Sequence, residues 1–256
     1  MSARGAPAPR GAPHRGCAAP LPAPRATAGT QLRVPRDHIV RALRAMPRDA
    51  LQQALLATLA RLRADARSGR GVLSEVLGRE AAFVEWRHYP SGDALDRRSG
   101  YRFYYHAHEA ASRAAGEHGH FHVFAGTPAR RDDQAAHVHL FGLSVDGRGL
   151  PTRVFATNRW VTAEHWQDAR WTLRALRALD LSQARPRRVA RWLQDMALLF
   201  SPQIDAVVRQ RDLRIAERAR CAPLQRVLED RRSHIVSQCR IDLASQFDCL
   251  QASGIE

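Results

Sequence analysis

The segment Tyr104–Phe124, YYHAHEAASRAAGEHGHFHVF, determines the predicted fold of this chain. It holds five of the chain's twelve histidines, and HVHLF at 137–141 adds two more. Residues at positions i and i+2 of a β-strand point to the same side, so each His-x-His repeat places its histidines on one face. The spacing predicts strands at 101–108, 119–124 and 137–145 that share a histidine-lined surface.

Two antiparallel hairpins would bring these strands together, because directly opposed residues share a face with their Cβ atoms about 5 Å apart. Four cross-strand pairs are expected: His106–His120, His108–His118, His122–His139 and Phe124–His137. The alternate positions should then form the core beneath the sheet, namely Tyr101, Phe103, Tyr105, Phe121 and Val123. A register slip of one residue would scatter the histidines between the two faces.

A histidine face of this kind is a chelating arrangement for zinc, iron, copper or nickel. The expected metal ligands are His106, His108, His118, His120 and His139. Glu117 is the expected acid/base, with His122 as a second catalytic side chain. His118 and His122 lie about 13 Å apart along a strand, so a single metal ion cannot bind both. A metal-free ligand site and a structural hydrogen-bonded histidine network remain open alternatives.

The heptapeptide HGHFHVF at 118–124 is similar to the His-x-His-x-His-x-x signature of the histidine-triad nucleotide hydrolases and transferases. That resemblance implies a metal-free phosphoryl or nucleotidyl transfer in which His120 attacks a phosphate, supported by His118 and His122. Gly119 departs from the signature, because the family has an apolar residue there.

The remaining sequence predicts an α+β fold in which an antiparallel sheet of about five strands is flanked by helices at both ends. A helix is expected over 37–67, broken at Pro47. The other predicted strands are 81–89, ending at Pro90, and 151–158, after turns at 91–100 and at DGRG 146–149. Further helices are expected from the N-cap Thr162 to about Leu179, then over 187–199, 202–220 and 224–238. The expected single domain, 31–256, is helical over 37–67, a sheet over 81–158 and helical over 162–250.

Composition limits the classes of function. The net charge is +15, and all 40 basic residues are arginine. The excess of positive charge lies outside the histidine region and no nucleic-acid-binding motif accompanies it, so nucleic-acid binding is not expected.

Residues 1–30 are rich in Arg, Pro and Ala and predict a disordered tail. No apolar run is long enough to cross a membrane. The cysteines Cys17, Cys221, Cys239 and Cys249 form no disulfide or zinc pattern, which favours a cytoplasmic protein with the last three in the core.

A wider resemblance covers roughly residues 81–170. The motifs HYPSGD, YYHAHE, EHGHFHVF, HLFGLSVDGRG and TNRWVTAEHW resemble a family of uncharacterised bacterial proteins, a domain of unknown function. The resemblance implies no activity, cofactor or substrate, but it implies that the histidine strands and the following Trp-containing segment belong to one domain. In TNRWVT, Asn158 and Arg159 precede a predicted helix, where they form either an anion site or a strand-to-helix corner.

Together these observations predict a metal-binding protein, a metal-dependent hydrolase or oxidoreductase acting on a small molecule. The competing class is a non-catalytic binding or scaffold protein whose histidines form a structural network.

Overall fold

The computed structural model describes residues 29–78, 83–126 and 137–255. The disordered tail expected over 1–30 therefore lies almost entirely outside the described residues, as do the first two residues of the strand expected at 81–89. No helix in the described ranges is long and apolar enough to cross a membrane.

The described residues form an α+β fold with nine α-helices and a seven-stranded mixed sheet. The strands are β1 Thr30–Leu32, β2 Tyr89–Leu95, β3 Arg102–His106, β4 Gly119–Gly126, β5 His137–Val145, β6 Pro151–Thr157 and β7 Ile235–Arg240. The helices are α1 Arg36–Arg44, α2 Arg48–Ser68, α3 Val72–Leu77, α4 Arg159–Thr162, α5 Ala169–Arg177, α6 Arg187–Leu199, α7 Ser201–Ala219, α8 Leu224–Leu228 and α9 Leu243–Ala252.

The sheet order is β1-β7-β6-β5-β4-β3-β2. Strands β2 to β6 form the expected antiparallel meander, and β7 pairs antiparallel with β6. The short strand β1 pairs parallel with β7 and makes the sheet mixed. The expected number of about five strands was therefore too low. Both missed strands, β1 and β7, lie outside the histidine region, near the two ends of the chain.

Four predicted elements were wrong in position or type, including the turn expected over 91–100, whose first five residues belong to β2. The aromatic residues before Tyr89 do not form a strand, because Trp86 has a φ of 68° in a turn; the strand runs from Tyr89 to Leu95 and contains Pro90. Pro90 is compatible with β2 because β2 is an edge strand. The helix expected from Thr162 instead begins at Ala169, where the Asp168 side chain accepts a hydrogen bond from the backbone N–H of Trp171.

The helix expected over 224–238 ends at Leu228, and β7 follows it. Asp230 organises the intervening turn, because its carbonyl and carboxylate accept backbone N–H groups of Ser233 and Arg232. The sequence IVSQCR then supplies β-branched residues to the sheet. The predicted break at Pro47 is confirmed, since α1 ends at Arg44 and α2 begins at Arg48.

One face of the sheet packs on helices and forms the main core. All five residues expected beneath the sheet are buried there: Tyr101, Phe103, Tyr105, Phe121 and Val123. Phe121 contacts Trp192 of α6, with ring centroids 5.5 Å apart. Cys239 and Cys249 are buried as expected, whereas Cys221 is exposed. His106, His120, His122 and His139 lie on the opposite face.

A β-bulge in β5 decides where the last histidines point. Val123 pairs with Phe141 and Phe124 pairs with His139, so Leu140 is an extra residue with no partner on β4. Such a bulge inserts one residue and resets the alternation of side chains. The expected pairs of His122 with His139 and of Phe124 with His137 were therefore wrong, because His122 lies opposite Gly142. The bulge nevertheless returns His139 to the histidine face.

Candidate metal centre

Three histidines converge on this face of the sheet. His106 ends β3, and His120 and His122 lie on β4. One ring nitrogen from each lies within 4.8 Å of those of the other two, and this group could hold a metal ion. The three residues are 9%, 5% and 2% exposed, respectively. Neutral imidazoles in a buried cluster are suitable ligands for a transition metal.

The contact between His106 and His120 follows from strand register. The two residues are directly opposed in the β3–β4 ladder, as the sequence predicted. Their Nε2 atoms lie 2.8 Å apart. Two imidazole nitrogens on a tetrahedral zinc ion, at about 2.0–2.1 Å from the metal, lie roughly 3.3 Å apart. The pair would therefore need to open by only about half an ångström to accept an ion.

Glu117 and Arg153 fix the orientation of His120. The Glu117 carboxylate contacts His120 Nδ1 through Oε1 at 2.7 Å and accepts a hydrogen bond from Arg153 through Oε2 at 2.6 Å. Burial raises the pKa of Glu117, but the hydrogen bond from His120 and the charge of Arg153 outweigh it and hold the pKa below its usual value. Glu117 is therefore an ionised carboxylate with both oxygens engaged. A carboxylate behind a histidine is the usual support for a metal ligand.

Arg153 is itself held in place by the sheet. Its Nε donates to Ser144 Oγ at 3.1 Å, and its NH1 group donates to Gln238 Oε1 at 2.7 Å. Its guanidinium group also lies over the Phe155 ring, 5.0 Å from the centroid. The support of His120 therefore extends across β5, β6 and β7.

His122 is oriented by a second chain of hydrogen bonds. His122 Nδ1 lies 2.9 Å from His139 Nε2, and His139 Nδ1 lies 3.2 Å from Thr157 Oγ1. The backbone N–H of His139 donates to the Glu164 carboxylate at 2.6 Å. Because Nδ1 of His122 is engaged, Nε2 is the nitrogen available to a metal.

Burial lowers the histidine pKa values. Loss of solvent on burial, aided by neighbouring imidazoles, lowers the pKa of His106 to about 2 and that of His122 well below its usual range. Burial, with the charge of Arg211, lowers the pKa of His139 to about 3. These three side chains are neutral at pH 7, and the neutral form is the one that binds a metal.

The structure leaves the other three predicted ligands out of this group: His139 contacts His122 Nδ1, and His108 and His118 lie elsewhere. The β3–β4 ladder ends at His106–His120, so the expected pair His108–His118 does not form. His118 Nδ1 instead lies 2.6 Å from the Tyr105 hydroxyl, and Tyr105 belongs to the core face. His108 stays close, with its ring centroid 5.0 Å from those of both His106 and His120. It is partly exposed and lies at the mouth of the cluster.

Aromatic side chains outside the predicted site surround the histidines. The Tyr104 ring lies 5.1 Å from His122, and the Phe155 ring lies 5.3 Å from His120. His88 stacks on Tyr104 at 3.7 Å, and the exposed Trp86 stacks on His108 at 4.3 Å. Tyr104 and Phe155 follow the strand alternation and were predictable in principle. His88 and Trp86 were not, because they lie in an irregular segment.

Gly142 makes room for this aromatic wall. It lies opposite His122 on β4 and opposite Phe155 on β6. A Cβ atom at Gly142 would lie 2.2 Å from the Phe155 ring. The absence of a side chain therefore lets Phe155 lie flat over β5, beside the histidines.

The TNRWVT segment forms a strand-to-helix corner. The Asn158 side chain accepts a hydrogen bond from the backbone N–H of Arg159 and donates to the carbonyl of Val227. Arg159 pairs with Glu229, and the indole N–H of Trp160 donates to the carbonyl of Ser233. These polar groups have protein partners, which supports the corner interpretation over an anion site.

The family model described as Domain of unknown function (DUF6969) matches residues 52–241. That range covers most of the chain, including every histidine of the cluster, and the chain therefore belongs to this family. No curated protein and no solved structure matches this chain.

Proposed function

We propose that this member of the DUF6969 family is a metal-dependent enzyme with a single transition-metal ion bound by His106, His120 and His122. The observation that carries the proposal is the orientation of the ligand rings, which is fixed by hydrogen-bond partners. His120 and His122 each have Nδ1 fixed by a partner, which leaves both Nε2 atoms for a metal. Three protein ligands leave a coordination position open for water or substrate, as in catalytic rather than structural zinc sites.

The remaining predicted site residues have distinct roles in this proposal. Glu117 positions His120, since both its oxygens are engaged and its charge is balanced by Arg153. His139 positions His122 in the same way. His108 is the candidate to contact substrate, because it is partly exposed and borders both His106 and His120. His118 has no part in the metal site, because it bonds Tyr105.

A bound metal would supply an activated water molecule for hydrolysis, or redox chemistry if the ion is iron or copper. The proposed substrate is a small molecule that approaches past His108 and the exposed Trp86. The Tyr104 ring beside His122 and the Phe155 ring beside His120 shield the metal ligands from water.

A structural histidine network is the second candidate, and one observation favours it. The 2.8 Å contact between the Nε2 atoms of His106 and His120 is also a good hydrogen bond if one ring carries the proton. A histidine-triad mechanism is less well supported, because His118 does not lie beside His120 and His122.

The test is metal loading of chelator-stripped protein with zinc, iron(II), cobalt(II), nickel and copper, followed by elemental analysis. One variant is His106→Ala, which removes a proposed ligand whose Nε2 atom lies 2.8 Å from that of His120. The matched control is His38→Ala, an exposed histidine on α1. Urea unfolding of all three proteins reports whether they are folded.

We expect one metal ion per chain in the wild type and in His38→Ala, and a loss of affinity of about 100-fold or more in His106→Ala. Saturation with metal should also stabilise the wild type, by about 2.7 kcal/mol at 100 times the dissociation constant. Failure of the wild type to retain any of the five metals would reject the proposal. A metal-free chain that loses stability in His106→Ala would instead support the structural network.

A further inference from the structure

Strand register extends the histidine cluster into a row of side chains across the sheet. Paired residues in antiparallel strands share a face. The row that starts at the metal centre reads His106, His120, Ser144, Arg153 and Arg240. The neighbouring row reads Tyr104, His122, Gly142, Phe155 and Gln238. The hydrogen bond from Arg153 to Gln238 shows that β6 and β7 present these side chains on the same face.

Strand β1 continues the neighbouring row at the edge of the sheet, and Arg33 directly follows the strand. Gln31 pairs with Gln238, and the last described pair of the ladder is Leu32 with Cys239. The next residues along these two parallel strands are Arg33 and Arg240. The face is therefore divided into a histidine half on β3 and β4 and an arginine half on β6, β7 and the end of β1. We refer to Arg33, Arg153 and Arg240 as the arginine platform.

The positive charge of the arginine platform is only partly neutralised. Glu117 balances Arg153, and the same carboxylate also supports His120. Within residues 29–78, 83–126 and 137–255, neither Arg33 nor Arg240 forms an ion pair, and both are exposed. Like charges directly opposed on adjacent strands destabilise a sheet. An anion between Arg153 and Arg240 would remove this repulsion.

The proximity of the two guanidinium groups is also evident from Arg153. Burial lowers the pKa of Arg153, Glu117 raises it, and the charge of Arg240 lowers it further. Arg240 and His120 are three strands apart, about 14 Å between their Cα atoms at the usual strand spacing. An arginine side chain and a small molecule together cover that distance.

We propose that the arginine platform binds an anionic group, a phosphate or a carboxylate, of the small molecule on which the metal centre acts. The link to catalysis rests on the proposed function, but the anion site itself does not. Arg240 and Arg33 are the expected main contacts. Arg153 is already held by Glu117, Ser144 and Gln238, and it adds its charge beside them. Arginine is suited to this role because its planar guanidinium binds both phosphate and carboxylate with two hydrogen bonds.

The test is calorimetric titration of metal-free protein with inorganic phosphate and, separately, with succinate, at an ionic strength held constant with sodium chloride. The variants are Arg240→Gln and Arg33→Gln. The matched control is Arg67→Gln, an exposed arginine near the end of α2. We expect Arg240→Gln to weaken binding about tenfold or more, Arg33→Gln to weaken it less, and the control to change it by less than about twofold.

The probe that binds more tightly indicates the anionic group of the substrate. Tighter binding of phosphate indicates a phosphate ester, and tighter binding of succinate indicates a carboxylic acid. Equal affinities of wild type and Arg240→Gln for both probes would overturn the proposal. Binding only to a short single-stranded oligonucleotide would also overturn it, because the platform would then serve a nucleic acid.

A second titration separates this proposal from the metal centre. Phosphate affinity of the wild type is measured with and without bound zinc, and again in His106→Ala. Tighter binding in the presence of zinc that is lost again in Arg240→Gln supports a shared substrate site, and a zinc effect that is absent or independent of Arg240 rejects the link to the metal. If no metal binds at all but phosphate binding still depends on Arg240, the proposed enzyme function fails while the anion site stands.

Discussion

At the scale of single residues, the Glu117 carboxylate contacts two buried side chains, His120 and Arg153. Its Oε1 fixes the ring of His120 and its Oε2 neutralises the guanidinium of Arg153. The Glu117 side chain is only 4% exposed, so water cannot replace either contact. Removing one partner of a buried ion pair is costly because it leaves an uncompensated charge. Glu117 therefore couples the proposed metal site to the stability of the sheet.

Replacement of Glu117 by glutamine keeps the size of the side chain and removes its charge. We expect metal affinity to fall about 10- to 100-fold, because His120 loses its carboxylate partner. We also expect the free energy of unfolding to fall by about 2–4 kcal/mol, because Arg153 loses its counter-charge. Competition with a coloured chelator measures the affinity, and urea unfolding measures the stability.

The matched control for this variant is Glu109→Gln, an exposed glutamate eight residues earlier in the sequence. It should leave both quantities unchanged. An unchanged metal affinity in Glu117→Gln would show that the carboxylate does not orient a metal ligand.

At the scale of elements, polar side chains are tolerated inside the fold where strand or helix geometry gives them a partner. The bulge at Leu140 turns His139 toward His122, whereas an unbroken strand would direct His139 into the core. Asp195 on α6 contrasts with His139, because burial makes the charged form of its side chain unfavourable. Burial raises its pKa to about 6, although the charges of Arg191 and Arg61 oppose the rise. This carboxylate is therefore a source of pH-dependent stability.

The sign of the effect follows from the raised pKa of Asp195. The folded protein retains the proton up to about pH 6, whereas the unfolded chain releases it near pH 4. Stability should therefore be highest below pH 4 with respect to this group and fall between pH 4 and pH 6. Asp195→Asn should remove this loss and stabilise the protein by about 1–3 kcal/mol at pH 7.

Urea unfolding at pH 4 and pH 7 measures this effect as the difference between wild type and variant. The control is Asp248→Asn at an exposed position of α9, which should follow the wild type. A variant that is equally destabilised at both pH values would contradict the prediction.

At the scale of the whole molecule, the first and last described segments pack against each other. Strand β1 completes the sheet against β7, and α1 packs beside α9. The guanidinium groups of Arg36 and Arg44 donate to the carbonyls of Asp248 and Ala252 near the C-terminus. The buried core residues outside 52–241 are Ile39, Val40, Leu43, Leu51, Leu243, Cys249, Leu250 and Ile255.

A chain of residues 52–241 should therefore fail to fold stably, although it contains the whole histidine cluster. Loss of these buried side chains costs about 1.5–3 kcal/mol for each large one, which exceeds the net stability of a typical domain. Circular dichroism and urea unfolding of this chain, beside a chain of residues 29–256, measure the difference. A cooperative transition at the same urea concentration in both would show that the ends are dispensable.

The sequence by itself determined the meander and its histidine face. Alternation of His, Tyr and Phe over 101–124 predicted which side chains share a face, because strand periodicity is a local property of the backbone. The same pattern predicted the opposed pair His106–His120 and the buried aromatic residues beneath it. The expected resemblance to a domain of unknown function is confirmed by the family model over residues 52–241.

Only the tertiary structure decided which histidines meet. The bulge at Leu140, the contact of His118 with Tyr105 and the position of Glu117 between His120 and Arg153 depend on residues far apart in the sequence. The pairing of β1 with β7 joins residues about 200 positions apart. Local propensity does not encode such contacts, because they form only when the assembled core fixes strand order and register.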